Sequence, residues 1–170
     1  MKILAVQSRM GIGDTVIFLP FIKALSKKFN SPISILVKEN SKANQYLHQT
    51  KYIDKILTLE RDNKTNNRHG GFFGIFKLAN DLKKYKFDKI FIFNSSLRFN
   101  LVAKISGIPQ IYQYPLFAKN KQHIIEAPKK FLKENLNLDI NEDPEVQIDN
   151  DSISKAAQKF QIDKNTTNIL

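Results

Sequence analysis

Hydrophobic positions along this chain follow two alternating patterns: short apolar runs, and longer stretches with helical spacing. The runs are KILAVQ (2–7), ISILV (33–37), KILTL (55–59), KIFIF (89–93) and QIYQY (110–114). Their length and their β-branched and aromatic content predict strands. The first, second and fourth are nearly continuously apolar, as expected of strands covered on both faces.

Between the runs, Phe18, Ile22, Leu25 and Phe29 recur at i, i+4, i+7 and i+11 over 15–29, with lysines at other positions. Pro20 leaves two readings there, a helix that begins near Leu19 or one kinked at the proline. Phe72, Ile75, Phe76, Ala79 and Leu82 form a stripe over 72–84. Leu97, Leu101 and Ile105 form another over 97–106, which Gly107 and Pro109 end. A further helix over 123–135 carries Ile124, Phe131 and Leu132, with Pro128 as its start or a kink.

Strands alternating with helices predict parallel pairing through right-handed crossovers, hence an α/β domain with a Rossmann-like doubly wound sheet. Ligands of such sheets bind at the carboxyl ends of the strands. Asp14, the 60–71 loop, NSSLR (94–98) and PLFAKNKQH (115–123) all follow strands at that edge.

Residues 1–138 read as this one domain. Residues 139–150, DINEDPEVQIDN, are acidic, lack a helical stripe and read as a linker. Asp151 can then cap a short helix with Ile153, Ala156, Ala157 and Phe160 on one face. Residues 151–170 are expected to be the truncated start of a second domain, because a helix and half a strand cannot bury their apolar faces alone.

Composition narrows the function classes. The 170 residues include no cysteine, so disulfides, thiolate metal sites and cysteine nucleophiles are excluded, and a cytoplasmic location is expected. No run approaches the roughly 18 apolar residues of a membrane span, and the first residues lack a signal-peptide pattern. The formal charge is +11. It has two readings: a compositional bias toward Lys, Asn, Ile and Phe, or a functional field for an anionic partner. Nucleic acid is disfavoured, since the aromatic residues stand at core-like spacing. His48, His69 and His123 are isolated and lack ligand spacing, and the DND at 149–151 lies at a helix cap, so no metal site is expected.

After the first run come Met10, Gly11, Ile12, Gly13 and Asp14. A Gly-x-Gly turn lets backbone approach a ligand. A dinucleotide fingerprint needs a third glycine, and that position holds Val16. Asp14 therefore has a plain reading as a helix N-cap. The loop ERDNKTNNRHGGFFG holds Arg61, Lys64 and Arg68. It is either an ordinary solvated loop or a clamp for phosphate or carboxylate groups.

The stretch KILAVQSRMGIGDTVIFLPFIKALSKKF resembles the start of the heptosyltransferases, glycosyltransferase family 9. YKFDKIFIFNSSLRFNLVAKISGIPQIYQY is similar to that family's strand, Ser/Gly turn, arginine, helix and sGiP stretch, and HIIEAPKKFLKENL to its following helix. The likeness covers about residues 1–138. It implies the amino-terminal, acceptor-side domain of a two-domain GT-B architecture, with the donor held by the other domain. The implied reaction is an inverting transfer of heptose or a related sugar from a nucleotide-diphosphate sugar to a lipid-linked, lipopolysaccharide-type acceptor, with no metal or other cofactor. Asp14 is the implied general base, and Arg9, Gly11, Gly13, Asn94, Ser95 and Arg98 the implied acceptor-binding residues. Two departures stand out: Gln7 where the family often has arginine, and Met10 where it has small or hydroxylated residues. Arg9 can compensate. An anionic inner-membrane surface is an expected peripheral partner, met through Lys119, Lys121 and Arg98. The alternative is a basic α/β module that binds an anionic glycolipid or nucleotide without catalysis.

Overall fold

A computed structural model describes residues 1–8, 11–61, 67–116 and 124–162. Five strands form one parallel sheet: β1 (Ile3–Val6), β2 (Ile33–Lys38), β3 (Ile53–Leu59), β4 (Lys89–Ile92) and β5 (Gln110–Gln113). Their order is β3-β2-β1-β4-β5. All five apolar runs are strands, and the fold is the doubly wound α/β sheet that they predict.

The helices are α1 (Ile12–Phe29), α2 (Ala43–Tyr46), α3 (Phe73–Lys83), α4 (Leu97–Ile105), α5 (Glu126–Leu136) and α6 (Asn150–Lys159). Side chains of β1 alternate between two cores because strand residues point to opposite faces. Ile3 and Ala5 join α1 and α5 on one face, and Leu4 and Val6 join α3 and α4 on the other. The short α2 and the 3₁₀ turn before it, Glu39–Ser41, carry no periodic signal in the sequence.

α1 begins at Ile12, seven residues before Leu19, and runs on through Pro20. The proline removes one backbone hydrogen bond. Burial of Phe18, Leu19, Phe21, Ile22 and Leu25 holds the segment helical regardless. Asn30, in the left-handed region at φ 47°, ends it. α5 starts at Glu126, so Pro128 falls in its first turn, where no intrahelical bond is lost. The cap of α6 is Asp149, not Asp151: its Oδ1 accepts from Ser152 N (2.7 Å).

Two helical stripes face the wrong way for a core. On α4, Phe99, Val102 and Ala103 are buried, whereas Leu97, Leu101 and Ile105 are exposed. On α3, Ile75, Ala79 and Leu82 point inward as expected, while Phe72 and Phe76 point outward. Gly74 is on the buried side of α3. It lies against the His69 backbone and the Arg98 guanidinium, a contact too close for a Cβ.

The acidic segment 137–149 has no regular structure and lies along the domain. Ile140 is buried in the α1/α5 core, with Leu138 and Val146 against it. Glu142 pairs with Lys23 (3.0 Å) and Lys27, and Asp149 accepts from Gln49 Nε2 (2.7 Å).

Candidate active site

The strand order reverses between β1 and β4, and a crevice opens beyond their carboxyl ends in folds of this kind. Two loops meet there, one from β1 into α1 and one from β4 into α4. Asn94 Nδ2 donates to Ser8 Oγ at 2.7 Å, tying them together. Asn94 Oδ1 accepts from Ser96 N at 2.6 Å, so this side chain shapes its own loop as well. Ser96 caps α4 by accepting from Arg98 N. Ser95 lies between, half-buried.

Asp14 occupies the third position of α1, and Gly11 is the N-cap. The plain reading is thereby corrected. Asp14 is not the cap; its Oδ2 accepts from Gly11 N (3.2 Å), the reciprocal half of a capping box. Gly11 reaches the cap position because its backbone is extended (φ −92°, ψ 162°) and Thr15 N and Oγ1 both donate to its carbonyl. The Asp14 carboxylate is thus oriented by the turn while remaining half-exposed at the sheet edge. Beside it, a Cβ placed on Gly13 would meet nothing within 4 Å, so this backbone borders open space.

Side-chain amides support both loops, Gln7 buried and Gln113 half-buried, a role that sequence reasoning missed. Gln7, 4% exposed, donates to the Asp14 carbonyl (3.3 Å). Gln113, at the end of β5, donates to the carbonyls of Asn94 (3.0 Å) and Ser96 (2.9 Å), and Asn100 holds its other end. The available signal was Gln7 directly after a fully buried apolar strand, where burial demands hydrogen-bond partners.

Arg98 points at the 69–71 turn. Its guanidinium donates to the carbonyls of Gly71 (2.8 Å) and His69. His69 is 3% exposed, accepts from Glu60 N at Nδ1 (3.1 Å) and meets Asp81 at Nε2 (3.1 Å), which makes Nε2 the protonated nitrogen. Asp81 also accepts from Arg68 (2.8 Å) and Lys84 (3.3 Å). Burial pushes the Asp81 carboxyl up, but hydrogen bonds from His69, Arg68 and Lys84 outweigh it and hold the group below the usual carboxylate range. Next to this edge, a recess of about 400 Å³ lies between the ends of β2 and β3, lined by Lys38, Asn40, Lys42, Asn44 and Thr58 among others.

Arg9, Met10, Lys64, Lys119, Lys121 and His123 lie outside the described residues. Gly11, Gly13 and Asp14 share the β1 end of the crevice, and Asn94 and Ser95 the β4 end. Arg98 leaves from the same loop toward the 69–71 turn.

No family model and no curated protein matches this sequence. Solved structures do match. A family 9 glycosyl transferase from Veillonella parvula superposes with a TM-score of 0.72 at 18% identity, over 98% of this chain and 50% of that one. The Escherichia coli ADP-heptose LPS heptosyltransferase II gives 0.64 at 15% identity, over 96% and 52%. The E. coli heptosyltransferase WaaC with ADP-2-deoxy-2-fluoro heptose gives 0.56 at 12% identity, over 84% and 50%. This chain spans about half the length of each. In fold, it matches half of a GT-B glycosyltransferase of the heptosyltransferase kind.

Proposed function

We propose that this chain is the acceptor-side half of an inverting glycosyltransferase. It serves the transfer of heptose or a related sugar from a nucleotide-diphosphate sugar to a lipopolysaccharide-type acceptor, at the cytoplasmic face of an anionic membrane. The observation that carries this reading is the oriented, half-exposed Asp14 carboxylate beside the open flank of Gly13 at the switch point of the sheet.

In that role Asp14 takes the proton of the acceptor hydroxyl as its oxygen attacks the anomeric carbon. The bond from that carbon to the diphosphate breaks, and the nucleotide diphosphate leaves from the opposite face. A positioned carboxylate contributes roughly 10²–10⁴-fold to such a step. The Gly11 N–H keeps the carboxylate in one orientation, and Gly13 leaves room for the sugar. Asn94 and Ser95 border the acceptor, with Arg9 supplying charge. Arg98 holds the 69–71 turn that flanks it. As the resemblance implies, no metal enters this reading.

Asp14→Asn in the full two-domain protein tests this. At this third helical position an asparagine Oδ1 can still accept from Gly11 N. If Asp14 is the base, turnover falls by roughly 10²-fold or more with thermal stability little changed. Near-normal turnover at saturating donor and acceptor leaves Asp14 a helix-stabilising residue and removes it from the chemistry. Residues 1–170 alone are expected to show no transfer; micromolar binding of a nucleotide-sugar to them by calorimetry contradicts the division of labour.

A further inference from the structure

The stripes that turn outward on α3 and α4 make a surface with no use in the site above. Phe72, Phe73 and Phe76 are 69%, 76% and 48% exposed. They form one cluster, with ring centroids 6.0 Å apart for Phe72–Phe73 and 5.6 Å for Phe72–Phe76. Leu97, Leu101 and Ile105 line the outer side of α4, which covers the same sheet face as α3. Arg98 ties the start of α4 to the turn before α3, so the two apolar rows begin side by side. Large contiguous apolar patches on soluble domains mark interaction surfaces.

We propose that this α3/α4 face docks on an anionic lipid bilayer, with the three phenylalanines entering the headgroup–acyl boundary. Charge selects the occupant. Lys77 and Lys83 stand on α3, and Lys104 on α4, around the apolar rows. The sole carboxylate of the two helices, Asp81, is held by His69, Arg68 and Lys84. A cationic ring around exposed aromatics suits anionic headgroups over an apolar layer. A second copy of this face would bring like charges together, which the net charge of +11 aggravates. The start of α3 also lies at the strand-end edge that holds Asp14, so docking there presents the crevice to a lipid-linked acceptor. The orientation rests on the proposed function; membrane binding itself does not.

The chain contains no tryptophan, so Phe73→Trp installs a single reporter on an exposed position. Mixed with vesicles of phosphatidylglycerol and phosphatidylcholine, the variant should show a blue-shifted emission that brominated acyl chains quench. Phosphatidylcholine alone should give little, and high salt should weaken the effect. Replacing two rings, Phe72→Ser with Phe76→Ser, should lower vesicle partitioning about a hundredfold, roughly tenfold per ring. Circular dichroism confirms that the double variant folds. Partitioning unchanged in it, or no blue shift with anionic vesicles, overturns the proposal. Two further results also overturn it: a concentration-dependent dimer that the double variant abolishes, and an emission shift produced by an oligonucleotide but not by vesicles. Turnover plays no part in these readouts, so this inference can fail without the catalytic one.

Discussion

The two helical layers of this domain both bury apolar side chains against the sheet but finish differently. On the α1/α5 side, the acidic segment 137–149 closes the surface. Ile140 is buried there, and Glu142 answers Lys23 and Lys27. On the α3/α4 side, the outward apolar residues stay exposed, and Lys77, Lys83 and Lys104 have no ion pair among the described residues. One layer meets its own chain; the other presents an apolar, cationic face. The comparison teaches that helical spacing marks a stripe as apolar without saying what covers it.

The largest expected effect contrasts a ring from each layer. Phe21 is 1% exposed in the α1 core, so Phe21→Ala should lower the unfolding free energy by about 3–5 kcal/mol. Phe76→Ala should stay within about 0.5 kcal/mol, as for other exposed positions. Urea unfolding followed by circular dichroism measures both, and similar losses would collapse the distinction between the layers.

Gly74→Ala probes why α3 presents its phenylalanines outward. A Cβ there meets the His69 backbone and the Arg98 guanidinium, so the turn or the helix must move, at about 1–3 kcal/mol. Retention of full stability would mean that the contact is not what sets the rotation of α3.

A smaller effect depends on pH. Asp81 is held below its ordinary value near 3.8, so its contribution to stability is complete above that value. It is lost as the pH falls through the lower folded-state value. The urea midpoints of the wild type and Asp81→Asn should therefore differ at pH 6 and converge in strong acid. A gap that widens on acidification would contradict the ion-pair account.

The smallest effect reports on the closing segment. Burial pushes the Tyr52 phenol up to about 12, aided by Glu145 and Glu142. Ile140→Ser should loosen the segment and bring Tyr52 back toward its ordinary value of 10. Tyrosine ring resonances followed through an alkaline titration read this directly. An unchanged Tyr52 would show that the segment stays down without its buried isoleucine.

Much of this protein is written locally in its sequence. The strands are legible because a parallel strand buried on both faces must be apolar at nearly every position, as β1 and β2 are. The Gly11–Asp14 turn is legible because two glycines directly after an apolar run and before a helical stripe mark the passage from strand to helix. The tertiary structure alone decided three things. It turned Phe99, Val102 and Ala103 of α4 inward in preference to Leu97, Leu101 and Ile105. It sent Arg98 to the 69–71 turn and laid 137–149 along α1. Spacing along a helix sets which residues share a face, but when two faces are apolar the partner across the core chooses between them. That choice depends on contacts between residues far apart in the chain, and local periodicity carries no record of those.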